Sequence, residues 1–439
     1  MISTQDKLKL LNVINNLKKE LLDLLVGAIK IPSITPTYPG VDETSVIGGE
    51  SRVNEYFQSY LNSIGLKTKM VTKVPGRSNL VGKLKSSGKG KSLIFNGHVD
   101  VVPPGPKEAW TKADPWSGTI SEDKIYGRGS CDMKGGLSAV MIAIKAILKS
   151  GFLPEGDVII ESVVGEEMMN TEVGTGAVID EGYRADAAIV VEPTSMNGSI
   201  QLSPASVGTL LMICSIKGKA GHSTLRGKMI RAGKNGSQIG VSSIDKAFII
   251  YTALRQLEEN WGQSKSHPLF SPGHFTIHPG TISGGKKGPF VISEESIIQY
   301  AVFYAPQDNK KEVIKEIEKH IYHASQNDPW LKNNPPNISW PIWWPPFDVE
   351  PESDICKSIS YAYQMIADHP IPVSGFPGNN DAAFLNLAGI PTVTIGPGSL
   401  DVAHTANEHI LISELMEAVK IYAFSILDWC GYKNIKKLN

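Results

Sequence analysis

A chain of 439 residues and 47.6 kDa exceeds what one ordinary hydrophobic core fills, so two domains, or one with a large insertion, are expected. The 43 basic residues nearly balance the 44 acidic ones, leaving a net charge of −1, and no long single-sign run provides the basic footprint of a nucleic-acid binder. A hydrophobic share of 41%, a charged share of 20% and the lack of any run of about 18 apolar residues exclude the disordered and membrane-spanning classes.

In chain order, the opening "MISTQDKLKLLNVINNLKKELLDLL" has helical period with charges throughout and no signal-peptide core, so the expected location is cytoplasmic. A helix over Glu50 to Ile64, the strand "KSLIFNGHVDVV", the helix "GGLSAVMIAIKAILKSG" and the strands "DVIIESVVG" and "ADAAIVVEP" follow. Near-continuous apolar strands alternating with helices predict an α/β domain with a mixed, mostly parallel sheet flanked by helices. From about Gly198 the texture turns β-rich: "GTLLMICSIKGKAGHST", a helix near Ile244 to Leu257, "HFTIHPGTISGG", "SIIQYAVFYAP", a helix over Lys310 to His323 and "NISW". After "SWPIWWPPFDVEP" the α/β rhythm resumes with a helix near Asp354 to Ala367, the strand "IPTVTIGPG" and a final helix from about Ser413. The expected parse is a discontinuous catalytic domain, residues 1–198 and 346–439, with an inserted α+β domain over 199–345. The aromatic cluster Trp340, Trp343, Trp344 and Phe347 reads as packing at the hinge where the chain returns.

Ligands of open α/β sheets bind at the carboxyl ends of the strands, which makes polar residues there informative. His98 and Asp100 end one strand, Glu166 and Glu167 another, Glu192 a third; Asp132 lies on a Gly-flanked loop feeding a helix, and His404 follows the last strand. Alone, each has an ordinary reading: a hydrogen-bonded histidine, a solvated turn, a helix cap. Together they would require five apolar strands and loops to stop at imidazole or carboxylate by coincidence. Cys131, Cys214, Cys356 and Cys430 are scattered singly, so neither a disulfide framework nor a thiolate zinc site is indicated. Two imidazoles with several carboxylates suit Zn²⁺ and would also accept Mn²⁺ or Co²⁺. One carboxylate more than a single ion needs points to two divalent metal ions, about 3.5–4 Å apart, sharing a carboxylate and a water. Two Zn²⁺ against three carboxylates and a hydroxide leave such a site neutral, which makes its burial tolerable.

"GHVDVVP", "GRGSCDMKGG", "VVGEEMM", "VVEPTS" and "KAGHS", in this order and followed by His404, resemble the dinuclear-zinc amidohydrolase family of aminoacylase, acetylornithine deacetylase, succinyl-diaminopimelate desuccinylase and carboxypeptidase G. The resemblance runs from the first helix to the last. It implies a zinc-exopeptidase-like catalytic domain with an inserted dimerisation and lid domain, hence a homodimer. It also implies hydrolysis of a small N-acyl amide of an amine or amino acid by a metal-bridging water, or peptide cleavage with the same chemistry. By resemblance, His98 and Glu192 bind one zinc, Glu167 and His404 the other, and Asp132 bridges both. Asp100 would accept a hydrogen bond from the His98 N–H that faces away from the metal. Glu166 would be the general base, and His222 of "GHS" would stabilise the oxyanion in the partner's site. A cis peptide is implied at Asp132-Met133.

Two departures stand out. Members that cleave acyl amino acids commonly carry an Arg late in the inserted domain and another in an "SGGTSDARF"-like segment; here Phe303 and Ala383 occupy those positions. Neither replaces the bidentate fork that grips a carboxylate. An acylated amine without that carboxylate, or one whose acid is recognised by other residues, is thereby favoured. Arg226, Lys228 and Arg231 after His222 read as a solvated basic loop that could also supply positive charge.

Overall fold

The computed structural model describes residues 2–86, 88–231, 236–285 and 288–435. The chain divides into two compact units: 1–205 with 349–376 and 380–439, and 206–348 with 377–379. The insertion thus begins at Ser206 and not at 199, because Leu202 and Ser203 still bridge to Val373 and Thr394 in the first unit.

In the first unit a six-stranded sheet runs in the order Lys67–Val74, Arg77–Leu84, Val158–Val163, Leu93–His98, Ala187–Val190, Thr392–Thr394. The first two pairings are antiparallel and the last three parallel. Every residue of Val158–Val163, Leu93–His98 and Ala187–Val190 is buried, the pattern of parallel strands covered on both faces. Successive residues show the two covers: the Phe95 ring lies 5.4 Å from Tyr422 of the final helix Ile412–Cys430, and Asn96 bonds Thr175 of the helix Thr175–Asp180. Helix Gly135–Lys149 packs against the final helix and buries nearly its whole circumference, which explains why its sequence lacks a polar stripe. The strand expected to run through Asp100 ends at His98. The helix expected to reach Ala367 ends at Gln364.

The second unit holds a four-stranded antiparallel sheet in the order Thr276–Gly284, Glu295–Tyr304, Gly208–Lys217, Asn337–Trp344. Alternate residues Ser296, Ile298, Tyr300, Val302 and Tyr304 point to a core shared with helices Ser243–Ser264 and Lys310–Gln326. The aromatic cluster belongs largely to this packing. Trp340 leans on the core and donates to Glu318 (2.9 Å), Trp343 donates to the Tyr304 hydroxyl (2.9 Å) beneath the Lys310 ammonium, and Trp344 and Phe347 are buried. No helix among the described residues is long and apolar enough to cross a membrane.

Candidate metal centre

Parallel pairing puts the carboxyl ends of three neighbouring strands on one edge, where the polar residues that follow them converge. His98 is the last residue of its strand and is almost fully buried. Its Nε2 lies 3.0 Å from Asp132 Oδ1, 3.4 Å from Glu192 Oε1 and 3.7 Å from Glu166 Oε2. His404 Nε2 lies 2.9 Å from Glu167 Oε2 and 3.2 Å from Asp132 Oδ2. Asp132 therefore presents one carboxylate oxygen to each imidazole. His404 is held in the left-handed backbone region (φ 58°), and half of its side chain is exposed, whereas the carboxylates are buried.

The loops are fixed by hydrogen bonds from outside the cluster. Glu408 Oε1 accepts from the backbone N–H groups of Cys131 (3.0 Å) and Asp132 (3.2 Å), while its Oε2 pairs with Arg128 at 2.5 Å in a fully buried ion pair. The Lys134 ammonium, also buried, donates to the carbonyls of Ala28 and Ile31, each at 3.1 Å, tying this loop to the second helix. The Asp132-Met133 peptide is cis. Gly165 turns the chain after Val163 at φ 86°, a conformation open to glycine, and sets Glu166 and Glu167 at the site.

Asp100 departs from its expected partner. His98 Nδ1 lies 2.9 Å from the backbone carbonyl of Asp100 and 3.7 Å from its carboxylate. The carboxylate instead accepts from the N–H groups of Gly165 (2.8 Å) and Glu167 (3.2 Å). One residue thus supplies the imidazole's outer hydrogen bond through its main chain and anchors the Glu166-Glu167 turn through its side chain. Spacing alone could not distinguish these two uses. Beneath the cluster, Asn96 donates to Glu161 (3.0 Å) and to the Thr175 hydroxyl (3.0 Å), which donates to Asp381 (2.7 Å), all buried. This network and Glu408 have no local sequence signal, because their partners lie 65 to 280 residues apart.

Crowded acids draw positive charge inward. Burial lifts Glu166 well above the usual carboxylate range, Glu192 to about 8 and Glu167 to about 7. Burial also pushes Asp132 upward, but hydrogen bonds from His404 and His98 outweigh it and hold the group below its ordinary value. Hydrogen bonds to Asp132 and Glu167 raise His404 to about 11. Burial disfavours charge on His98, yet Glu192 and Asp132 more than compensate and its pKa rises. Ligand atoms of His98, Asp132 and Glu167, and of His98, Glu166 and Glu192, gather within 4.8 Å. Two imidazoles and four convergent carboxylates without a thiolate fit a divalent cation, which would displace protons as it binds.

In the second unit His222 ends the short strand Gly221–His222, exposed, with Nδ1 2.8 Å from the Thr224 hydroxyl. Arg226 pairs with Asp245 at 3.0 Å, and the side chain of Arg231 lies outside the described residues. Ala383 is fully buried in the helix Ala382–Leu387, where an arginine would have no room to extend into solvent.

A mixed sheet whose parallel strands carry paired imidazoles and acids at their carboxyl ends is the arrangement of a metal-dependent amidohydrolase. Residues 94–428 match the sequence profile described as peptidase family M20/M25/M40, and the chain belongs to that family. It is 31% identical to N-formyl-4-amino-5-aminomethyl-2-methylpyrimidine deformylase of Halalkalibacterium halodurans over 96% of this chain and 97% of that one. It is 34% identical to the protein of the same name from Bacillus subtilis over 87% and 90%. A probable succinyl-diaminopimelate desuccinylase of Staphylococcus epidermidis is 27% identical over 85% and 91%. Two solved structures share the fold. The metallo-carboxypeptidase of Sulfolobus solfataricus has a TM-score of 0.69 at 20% identity, covering 93% of this chain and 99% of that one. A dinuclear metal binding peptidase of Bacillus subtilis has a TM-score of 0.63 at 12% identity, covering 94% and 99%.

Proposed function

We propose that this protein removes a formyl group from a small amine, with His98, Asp132 and Glu192 holding one zinc ion and Glu167, His404 and the shared Asp132 a second. The observation that carries the site is Asp132, whose two oxygens face two different imidazoles at 3.0 and 3.2 Å. Bound dications supply Lewis acidity, polarising the amide carbonyl and acidifying a water. Glu166 takes the proton of the attacking water and returns it to the leaving amine. His222, reaching across the dimer, donates to the oxyanion that forms at the carbonyl in the partner's site. Asp100 holds the turn carrying Glu166 and Glu167.

The formyl reading draws on the two deformylase relatives, at 31% and 34% identity, and on Phe303 and Ala383 standing where a carboxylate clamp would need arginine. It is tested with N-formyl amines, N-acetyl and N-succinyl amino acids and dipeptides offered to the metal-loaded enzyme. Preferential turnover of N-formyl amines lacking a carboxylate is expected; turnover confined to dipeptides or succinyl amino acids would refute it. The same reading makes the protein a cytoplasmic homodimer joined through the insertion, whose strand Thr276–Gly284 lies at a sheet edge with Ile282 and, on the helix Ser243–Ser264, Phe248 both more than half exposed.

A further inference from the structure

Within the first unit, the segment that carries His404 is pinned at both ends to the residue before Asp132. At one end the Cys131 thiol donates to the Ser399 carbonyl (3.3 Å). At the other, Glu408 Oε1 accepts from the Cys131 N–H (3.0 Å) and from that of Asp132 itself (3.2 Å). Between these ties the backbone enters the left-handed region twice, at His404 (φ 58°) and at Asn407 (φ 61°). The Asn407 side chain accepts from the Lys112 N–H (2.8 Å) and donates to the Ala109 carbonyl (3.2 Å), while the Glu408 carbonyl accepts from the Gly127 N–H (2.9 Å). Strand His409–Leu411 then leaves the junction by pairing with Lys124–Tyr126. Glu408 is fully buried, and its Oε2 is met by Arg128, whose guanidinium lies 5.5 Å from the Trp110 ring. Neither residue is among the ligand atoms that gather at the site.

Resting on the two-ion reading, we propose that Glu408 is a positioning residue: it fixes the Asp132 main chain against the loop of His404 and so sets the affinity for the ion that Asp132, Glu167 and His404 share. Asp132 Oδ2 and His404 Nε2 stand 3.2 Å apart on segments remote in sequence, and half of the His404 side chain is exposed. Their spacing therefore depends on what joins the two loops. The other ion depends less on this junction, because His98 closes a fully buried strand and Glu192 follows the next one in the sheet. Hydrogen bonds that orient ligands from behind are worth about 10- to 100-fold in metal affinity. The two Glu408 oxygens act differently: Oε2 is taken up by Arg128, which leaves Oε1 to hold both N–H groups. An acceptor withdrawn from them leaves buried donors unpaired and the Asp132 loop free to shift.

The test titrates the metal-free, full-length protein with Zn²⁺ against a chromophoric chelator and reads two stepwise affinities. It compares the wild type, Glu408→Asp and the double variant Arg128→Met with Glu408→Gln. Aspartate keeps the charge beside Arg128 and draws the acceptor back by one methylene. The double variant removes both charges, which a buried pair tolerates better than the loss of one partner, and keeps an amide oxygen for the two N–H groups. Glu408→Asp should weaken one ion by about tenfold or more and leave the other within about threefold, and the double variant should hold both within about threefold of wild type. Unchanged affinities in Glu408→Asp, an equal weakening of both ions, or a double variant as impaired as Glu408→Asp would each overturn the positioning role while leaving the two-ion reading in place. Either variant alone is decisive if urea denaturation shows the other to be misfolded. A wild type that binds fewer than two ions would end that reading and this inference together.

Discussion

At the residue scale, Glu166 and Glu167 are adjacent in sequence and meet different partners. Glu167 lies 2.9 Å from the His404 imidazole, whereas Glu166 has no hydrogen bond to an imidazole and approaches His98 only to 3.7 Å. Replacing Glu166 by alanine is expected to lower kcat by at least about 100-fold, the usual scale for a lost general base, while bound metal per chain stays at the wild-type level. Kinetics with metal analysis of the same preparation checks this; unaltered turnover would remove Glu166 from the role. The H-x-D spacing and the Glu-Glu pair made these residues visible in the sequence, because side chains at strand ends interrupt an apolar pattern. The atoms used by Asp100 were not visible, since the loop after His98 decides whether a carbonyl or a carboxylate reaches the imidazole.

At the element scale, the central strands carry polar residues inside the sheet, and these set a pH response. Glu161, mid-strand and fully buried, accepts one hydrogen bond from Asn96, and burial raises its pKa from 4.5 to about 7. The folded protein therefore keeps a proton that the unfolded chain releases above pH 4.5, so this group's contribution is most favourable below that value and declines as pH rises to about 7. Glu161→Gln, a neutral isostere, should gain stability relative to wild type between pH 5 and pH 8. Urea denaturation at the two pH values measures it, and a difference independent of pH would contradict the assignment. The apolar runs disclosed these strands, and the helical periods the principal helices, although helix Ser243–Ser264 extends seven residues past its expected end. Glu408 gave no comparable signal: its bonds to the Asp132 loop span 276 residues or more, and nothing local distinguishes it from a surface acid.

At the scale of the whole molecule, the insertion adds an open sheet, and residues 280–284 along its edge strand Thr276–Gly284 are exposed. Unpaired edges that are long and partly apolar invite pairing with another chain. Ile282→Lys combined with Phe248→Glu should convert a dimer to a monomer in sedimentation velocity, without altering metal content; a wild type that sediments as a monomer would refute the homodimer. The change of texture near Gly198 revealed the insertion, but its start moved to Ser206 because bridges from Leu202 and Ser203 belong to the first unit, a pairing that has no local sequence signature. The central claim is that two divalent ions at His98, Asp132, Glu167, Glu192 and His404 are required for hydrolysis. Its most direct test is N-formyl amine turnover measured against metal bound per chain, after chelator dialysis and stepwise return of Zn²⁺. Activity should vanish in the metal-free protein and recover as occupancy approaches two ions per chain; full turnover without bound metal would contradict the account.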